Sequence, residues 1–198
     1  MFFVENIYQA PEAEIVGNRG SEKDDLFYVV SAKKFWLLFI FTFGMYYVYW
    51  FYRHWAIYKK RTGEKLWPVM RAIFTVFFTH RLYDNFSSHC YAAGNRGVKS
   101  LKGEATLLVL LVIISNMIGR MTTRGVGYPY LDIVELLLTP VLGALVWLGQ
   151  KVANLACGDP DGSSNSRLTV VNWIWLVLGG LFWLMVIAGI FLPEDVAY

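Results

Sequence analysis

The run Val170 to Leu192 is 23 residues long, and Asn172 is its one polar interruption. Crossing a hydrocarbon layer of about 30 Å takes about 20 apolar residues in a helix, so this run is long enough to span. Two further apolar stretches, 105–119 and 131–149, follow the same pattern, the first carrying Asn116 near its end and the second Asp132, Glu135 and a Thr139-Pro140 kink. Composition agrees: charged residues make up 17% of the chain, against about a quarter in a soluble domain. Hydrophobic residues make up 56% and mean hydropathy is +0.42. These numbers exclude disorder, a collagen-like chain and a disulfide scaffold. The expected fold is an all-α integral membrane protein with three clear transmembrane helices.

Phe35 to Tyr52 is a further membrane element, with Thr42 and Gly44 at its middle and a second half crowded with Tyr46, Tyr47, Tyr49, Trp50, Phe51 and Tyr52. Tyr and Trp prefer the headgroup level. The element therefore either crosses once, or dips to Thr42-Phe43-Gly44 and returns. Leu66 to Leu82 is apolar but broken by Pro68, Arg71, His80 and Arg81; an arginine at mid-span costs about 2.5–3.5 kcal/mol, so a basic interfacial helix is expected there. Asn85 to Lys102 reads as a polar connector. Residues 1–30, acidic and rich in turn-formers, read as a flexible tail, and residues 31–198 as one membrane domain.

Charge sets the orientation. Residues 53–103 hold ten of the 18 Lys and Arg against two acids, which by the positive-inside rule places this stretch in the cytoplasm and the acidic C-terminus outside. Arg120 and Arg124, in the short turn between two spans, run against that assignment. A net charge of +3 leaves no footprint for nucleic acid. The opening residues lack the pattern of a cleaved signal peptide. Cys90 and Cys157, without a CxxC partner, read as free thiols.

The segment Phe41-Thr42-Phe43-Gly44-Met45-Tyr46-Tyr47-Val48-Tyr49-Trp50-Phe51-Tyr52-Arg53 resembles the T-x-G-x-Y-x-x-Y-W-x-Y-[RK] signature of a family of small bacterial inner-membrane proteins whose function is undefined. Asn6-Ile7-Tyr8-Gln9-Ala10-Pro11 is similar to the N-x-Y-x-A-P starts of several unrelated small proteobacterial membrane proteins. The resemblance implies a multi-pass protein of the bacterial inner membrane and carries no activity with it.

Few constellations suggest chemistry. Asp159, Asp161, Ser163 and Asn165 alternate as calcium ligands do, but Gly162 is misplaced and no distal Glu follows; a solvated double turn whose Ser and Asn cap the next helix is the plainer reading. His80, His89 and Cys90 lack the converging spacing of a transition-metal site. Glu135 is an ionisable group inside a span, and such groups are functional candidates by default. Asn116, Arg120 or Arg124 on the preceding helix is its expected partner, either as a tie between helices or as a polar path. No G-x-S-x-G, P-loop, H-E-x-x-H or dinucleotide fingerprint occurs, so neither catalysis nor a cofactor is expected.

The function expected from the residues is a non-catalytic anchor, scaffold or accessory subunit. Lys59, Lys60, Arg61, Arg71 and Arg81 would meet anionic lipid headgroups, and Asn6, Tyr8 and Pro11 would offer a motif to a protein partner. The alternative is a small oligomeric transporter, channel or lipid-handling subunit using Asn116 and Glu135. Gly143, Gly179, Gly180 and Gly189 permit close helix approach, within the chain or between copies.

Overall fold

The computed structural model describes residues 25–191. Among these the chain is all-helical: α1 (Ala32–Phe41), α2 (Tyr46–Thr62), α3 (Pro68–Ile73), α4 (Thr75–Ala92), α5 (Lys102–Thr122), α6 (Tyr130–Ala156) and α7 (Val170–Phe191), with a 3₁₀ turn at Ser163–Asn165.

Of the two geometries open to Phe35–Tyr52, the chain adopts the reversal. Phe43 (φ 52°) and Gly44 (φ 80°) both lie in the left-handed region, and two such residues in succession turn the helix back on itself. Thr42 stitches the two arms: its Oγ1 donates to Leu38 O at 2.7 Å and accepts from Tyr46 N at 2.9 Å. Phe43 is kept in its costly conformation by stacking on Trp183, with ring centroids 4.5 Å apart. On the return, Tyr46 packs on Phe35 and its hydroxyl meets that of Tyr28 at 3.2 Å. At ten residues, α1 is about 15 Å long, half the hydrocarbon thickness.

The hairpin α5–α6 is different in kind. Both helices are long and apolar enough to cross a membrane, yet only 11% and 17% of their most apolar stretches are buried within the molecule. A helix at the core of a soluble protein would be mostly covered. Burial in α5 is confined to Ala105 and Leu108, and in α6 to Gly143 through Asn154. The remaining halves form an arm whose Leu110, Ile113, Met117, Ile133 and Leu137 side chains are all exposed. The three clear spans expected thus reduce to two helices that meet the length criterion; α7 adds an apolar described stretch, Val170–Val186.

Two boundaries differ from expectation. The polar connector predicted from Asn85 begins inside a helix, because α4 runs on to Ala92 with Phe86 and Cys90 buried. Its apolar residues recur at helical spacing, which the polar residues between them obscured. The last residues of the stretch expected to be a flexible tail are instead packed: Phe27, Tyr28, Val29 and Val30 are buried, Val30 completely.

Small residues set the close approaches. A Cβ on Gly179 would lie 1.9 Å from Phe41 O, whereas one on Gly180 would meet Phe41 Cε1 at an ordinary 3.6 Å. Gly179→Ala is therefore expected to push α7 off α1 and destabilise the fold by about 1–3 kcal/mol, the usual cost of overpacking. Gly180→Ala is expected to be neutral. Thermal unfolding of both variants in one detergent checks this; equal effects would contradict the packing described.

Candidate functional site

The densest polar arrangement lies at the C-terminal end of α6. A crossing uses about 20 residues, and α6 has 27, so its last turns project past the arm into the helical bundle. Gln150 and Asn154, four residues apart, share one face there, and both are fully buried. Trp50 and His54, also four apart, face them from α2. Between the two helices runs the extended segment Phe27–Val30, whose peptide groups have no strand to pair with. A buried N–H or C=O left unpaired costs about 1–3 kcal/mol. Side chains supply the partners of both peptide groups of Tyr28 and of Val30 and of the Phe27 and Val29 carbonyls.

Asn154 acts as a substitute strand edge. Its Nδ2 donates to Val30 O at 3.0 Å and its Oδ1 accepts from Val30 N at 3.2 Å. Gln150 Nε2 donates to Tyr28 O at 2.8 Å and to Asn154 Oδ1 at 2.6 Å. Gln150 Oε1 accepts from Trp50 Nε1 and lies 3.2 Å from His54 Nε2. Because Tyr28 N donates to His54 Nδ1 at 3.3 Å, the imidazole proton belongs on Nε2, which then donates to Gln150. The circuit closes on itself, and neither amide nor the imidazole keeps a donor or acceptor for a substrate. Burial pushes His54 down to about 3.

The loop after α6 completes the clamp. Asn165 Nδ2 donates to Val29 O at 2.7 Å, and Lys34 Nζ donates to Asn165 Oδ1 at 2.7 Å and to Arg167 O at 2.8 Å. Lys34 is 4% exposed, and burial lowers its pKa. Gly162 takes φ 64°, and a Cβ there would lie 2.3 Å from the Val30 carbonyl, so the loop can close on the segment only with glycine. Burial opposes the charge on Asp159, but donors outweigh it. The Ser163 and Ser164 amides and the Ser163 hydroxyl, at 2.8–3.0 Å, hold the carboxyl well below the usual carboxylate range. Cys157, against Phe27 O, is pushed up to about 11 by burial and so stays a thiol rather than a nucleophilic thiolate.

The residues singled out in the sequence are distributed otherwise. The 159–165 loop is not a solvated turn, since Asp159 is buried and Asn165 points inward. Its Ser and Asn do not cap α7. Thr169 does, exchanging bonds with Asn172: Thr169 N to Asn172 Oδ1 at 3.0 Å and Asn172 N to Thr169 Oγ1 at 3.3 Å. With both Asp159 oxygens taken by the protein's own donors, the alternating oxygens do not converge as a calcium cradle. Among the described residues no three His, Cys, Asp or Glu side chains gather as metal ligands. His80 bonds to Thr106 at 3.0 Å and His89 to Asn85 O at 2.8 Å.

Glu135 does not meet its expected partners. It accepts from Thr122 Oγ1 at 3.2 Å and lies over Gly119, where a Cβ would come within 2.9 Å of it. Thr122 fills the role because the absent side chain of Gly119 lets the carboxylate reach α5. Asn116 donates back to Val112 O at 2.7 Å and, with Arg120, lines a separate cleft of about 390 Å³ beside Phe74 and Phe77. Asn116, Arg120 and Glu135 are therefore not brought together as one polar path.

Of the basic set, Lys59, Lys60 and Arg61 are exposed at the end of α2, and Arg81 is exposed 3.9 Å from Glu64. Arg71 is not free for a headgroup. Its guanidinium stacks over Trp55 at 4.1 Å and Phe78 at 5.1 Å, because α3 is wedged against α2 and the start of α4. Asn6, Tyr8 and Pro11 lie outside the described residues.

Gln150, Asn154, His54 and Lys34 escaped the sequence reading as site residues, and Asn165 entered it only as one of the alternating oxygens of its loop. The available signal was a pair of amides at helical spacing just past the end of an apolar run, opposite a Trp/His pair at the same spacing. No protein-family model, curated protein or solved structure matches the chain.

Two outcomes follow from this geometry. Asn154→Leu orphans both peptide groups of Val30 and is expected to cost at least about 2–4 kcal/mol, read as a large drop in thermal midpoint; an unchanged midpoint would remove the clamp from the account. Acidification is expected to destabilise the protein. Unfolded histidine titrates near 6.5 and folded His54 near 3, so between those values the unfolded chain holds one more proton and stability falls as pH falls. Melting curves from pH 7 to 4 should show this loss, and His54→Gln should flatten it.

Proposed function

We propose that the chain is a non-catalytic integral membrane protein that holds its N-terminal segment rigidly at the cytoplasmic face of a bacterial inner membrane, as an anchor or scaffold for a protein partner. The observation that carries the reading is the clamp. The residues joining the tail to the membrane domain are gripped at both peptide groups of Tyr28 and of Val30 and at the Phe27 and Val29 carbonyls, and Gln150, Asn154 and His54 commit all their hydrogen bonds within that grip. A fixed exit point suits a tail that presents a motif.

In this reading α5, α6 and α7 cross the bilayer and the α1–α2 hairpin enters to half depth. The exposed Phe74 and Phe77 of the α3–α4 junction sit in the acyl boundary as an interfacial element. Lys59, Lys60, Arg61 and Arg81 flank it and meet anionic headgroups, each worth about 1 kcal/mol near the surface. The T-x-G-x-Y-x-x-Y-W-x-Y-[RK] residues gain physical roles that support the resemblance: Thr42 and Gly44 make the turn, Tyr46 meets Tyr28, and Trp50 meets Gln150.

Alkaline carbonate extraction is expected to leave the protein in the membrane pellet, and deletion of residues 1–24 should not change that or the melting midpoint. The same deletion should abolish any complex seen for the full chain on native gels of gently solubilised membranes, while Glu135→Gln should leave it intact. Release by carbonate would remove the membrane reading. A complex that survives the deletion but is lost with Glu135→Gln would favour the transport alternative.

A further inference from the structure

The reversal at Thr42–Met45 leaves an open groove between the α1–α2 hairpin and α7. Its volume is about 740 Å³, within the range of sites that hold small molecules. The lower part is apolar, walled by Phe41, Phe43, Leu178 and Phe182, and it opens along the exposed face of α7. Its polar residues gather at the other end. Thr169 and Asn172 stand at the start of α7, and Tyr46 and Tyr49 lie on the facing side of α2.

One turn beyond Tyr49, on the same face of α2, is Arg53. Its guanidinium lies 5.4 Å from the centroid of the Tyr28 ring, which itself packs edge-on against Tyr49 at 6.3 Å. Arg53 is half-buried, and its Nε is buried without a hydrogen-bond partner. No carboxylate among the described residues pairs with it. An apolar trough with a guanidinium one turn beyond its polar lining residues, resting on the Tyr28 ring with its Nε unbonded, is complementary to an amphiphile whose head is an anion, and guanidinium favours phosphate oxygens.

We propose that this groove seats one acyl chain of an anionic phospholipid, with Arg53 holding the headgroup phosphate beside the Tyr28 and Tyr49 rings. The bilayer supplies this occupant directly, because the groove opens on the face of α7 that the proposed function places in lipid. The inference rests on that membrane reading. Residues 1–24 combine acids with the apolar run Met1-Phe2-Phe3-Val4, and the test separates that occupant from lipid.

The test uses the full chain in nanodiscs of phosphatidylcholine containing a minor fraction of phosphatidylglycerol with a photoreactive group on its acyl chain. Cross-links, mapped by peptide mass spectrometry, are expected to concentrate on 38–49 and 169–182 over the lipid-facing arm of α5. Unlabelled phosphatidylglycerol should displace them about fivefold to tenfold better than phosphatidylcholine, the scale expected for one basic residue meeting an anionic headgroup. Arg53→Gln should erase that preference and Arg53→Lys should restore part of it, with the melting midpoint confirming that both variants fold. Cross-links spread evenly over α5 and the groove would overturn the proposal, as would a preference untouched by Arg53→Gln. Lipid adducts that appear in the groove only after residues 1–24 are deleted, or only at one copy per nanodisc, would assign the groove to those occupants instead. Carbonate extraction separates the two readings: a protein that stays in the membrane but shows no groove preference fails this inference alone.

Discussion

Between Phe27 and Val30 the backbone passes through a fully buried space in extended form, with no strand beside it. Water is excluded and helices offer no lateral hydrogen bonds, so the exposed edges of these peptide groups would each carry a desolvation penalty. Gln150 and Asn154 remove it by presenting primary amides, which reproduce the donor and acceptor of a peptide edge. The rest of the bundle takes its register from this substitution. α6 must be long enough to carry the amides past its exposed apolar half into the bundle, α2 must bring Trp50 and His54 to the same level, and the loop after α6 must fold inward to deliver Asn165. Gly162 and Lys34 are required by that last step.

The same circuit separates a polar upper bundle from the bare helices below it. Above, rings from α2, α4 and the Phe27 segment interlock: Phe27 packs edge-on against Phe86 at 4.9 Å and His54 against Trp50 at 4.3 Å. Below, the α5–α6 arm has almost no internal core. In water such exposed apolar surface would associate or aggregate; in lipid it is an ordinary helix surface, and small residues such as Gly119, Gly143 and Gly179 set how closely the helices pack. The short α1 belongs to both regimes, since it starts in the polar clamp and ends against α7 in the apolar layer.

A closed hydrogen-bond circuit and an open groove suit different roles. In the circuit the Gln150 and Asn154 amides and the His54 imidazole all bond to the protein itself. That suits the fixed support of a segment. The groove lies open between the α1–α2 hairpin and α7, with Arg53 one turn beyond its polar residues, which suits the acyl chain proposed for it.

Apolar run length and the scarcity of charge were enough to read helices from the sequence, two of them long and apolar enough to cross a membrane, because those properties are local and summed along the chain. The turn at Thr42–Gly44 was also legible as one of two geometries, since a glycine in an aromatic run marks a break without giving the direction after it. The Asp159–Asn165 loop misled because alternating oxygens look alike whether they face an ion, water or a backbone. Arg71 looked like a headgroup ligand until α3 placed Trp55 beneath it. The pairing of Gln150 and Asn154 with residues 96 to 124 positions away lies beyond any local pattern. The sequence by itself determined the element type and the solvent each run prefers. Only the tertiary structure decided which polar side chains meet, because a buried hydrogen bond depends on what else has been removed from water around it.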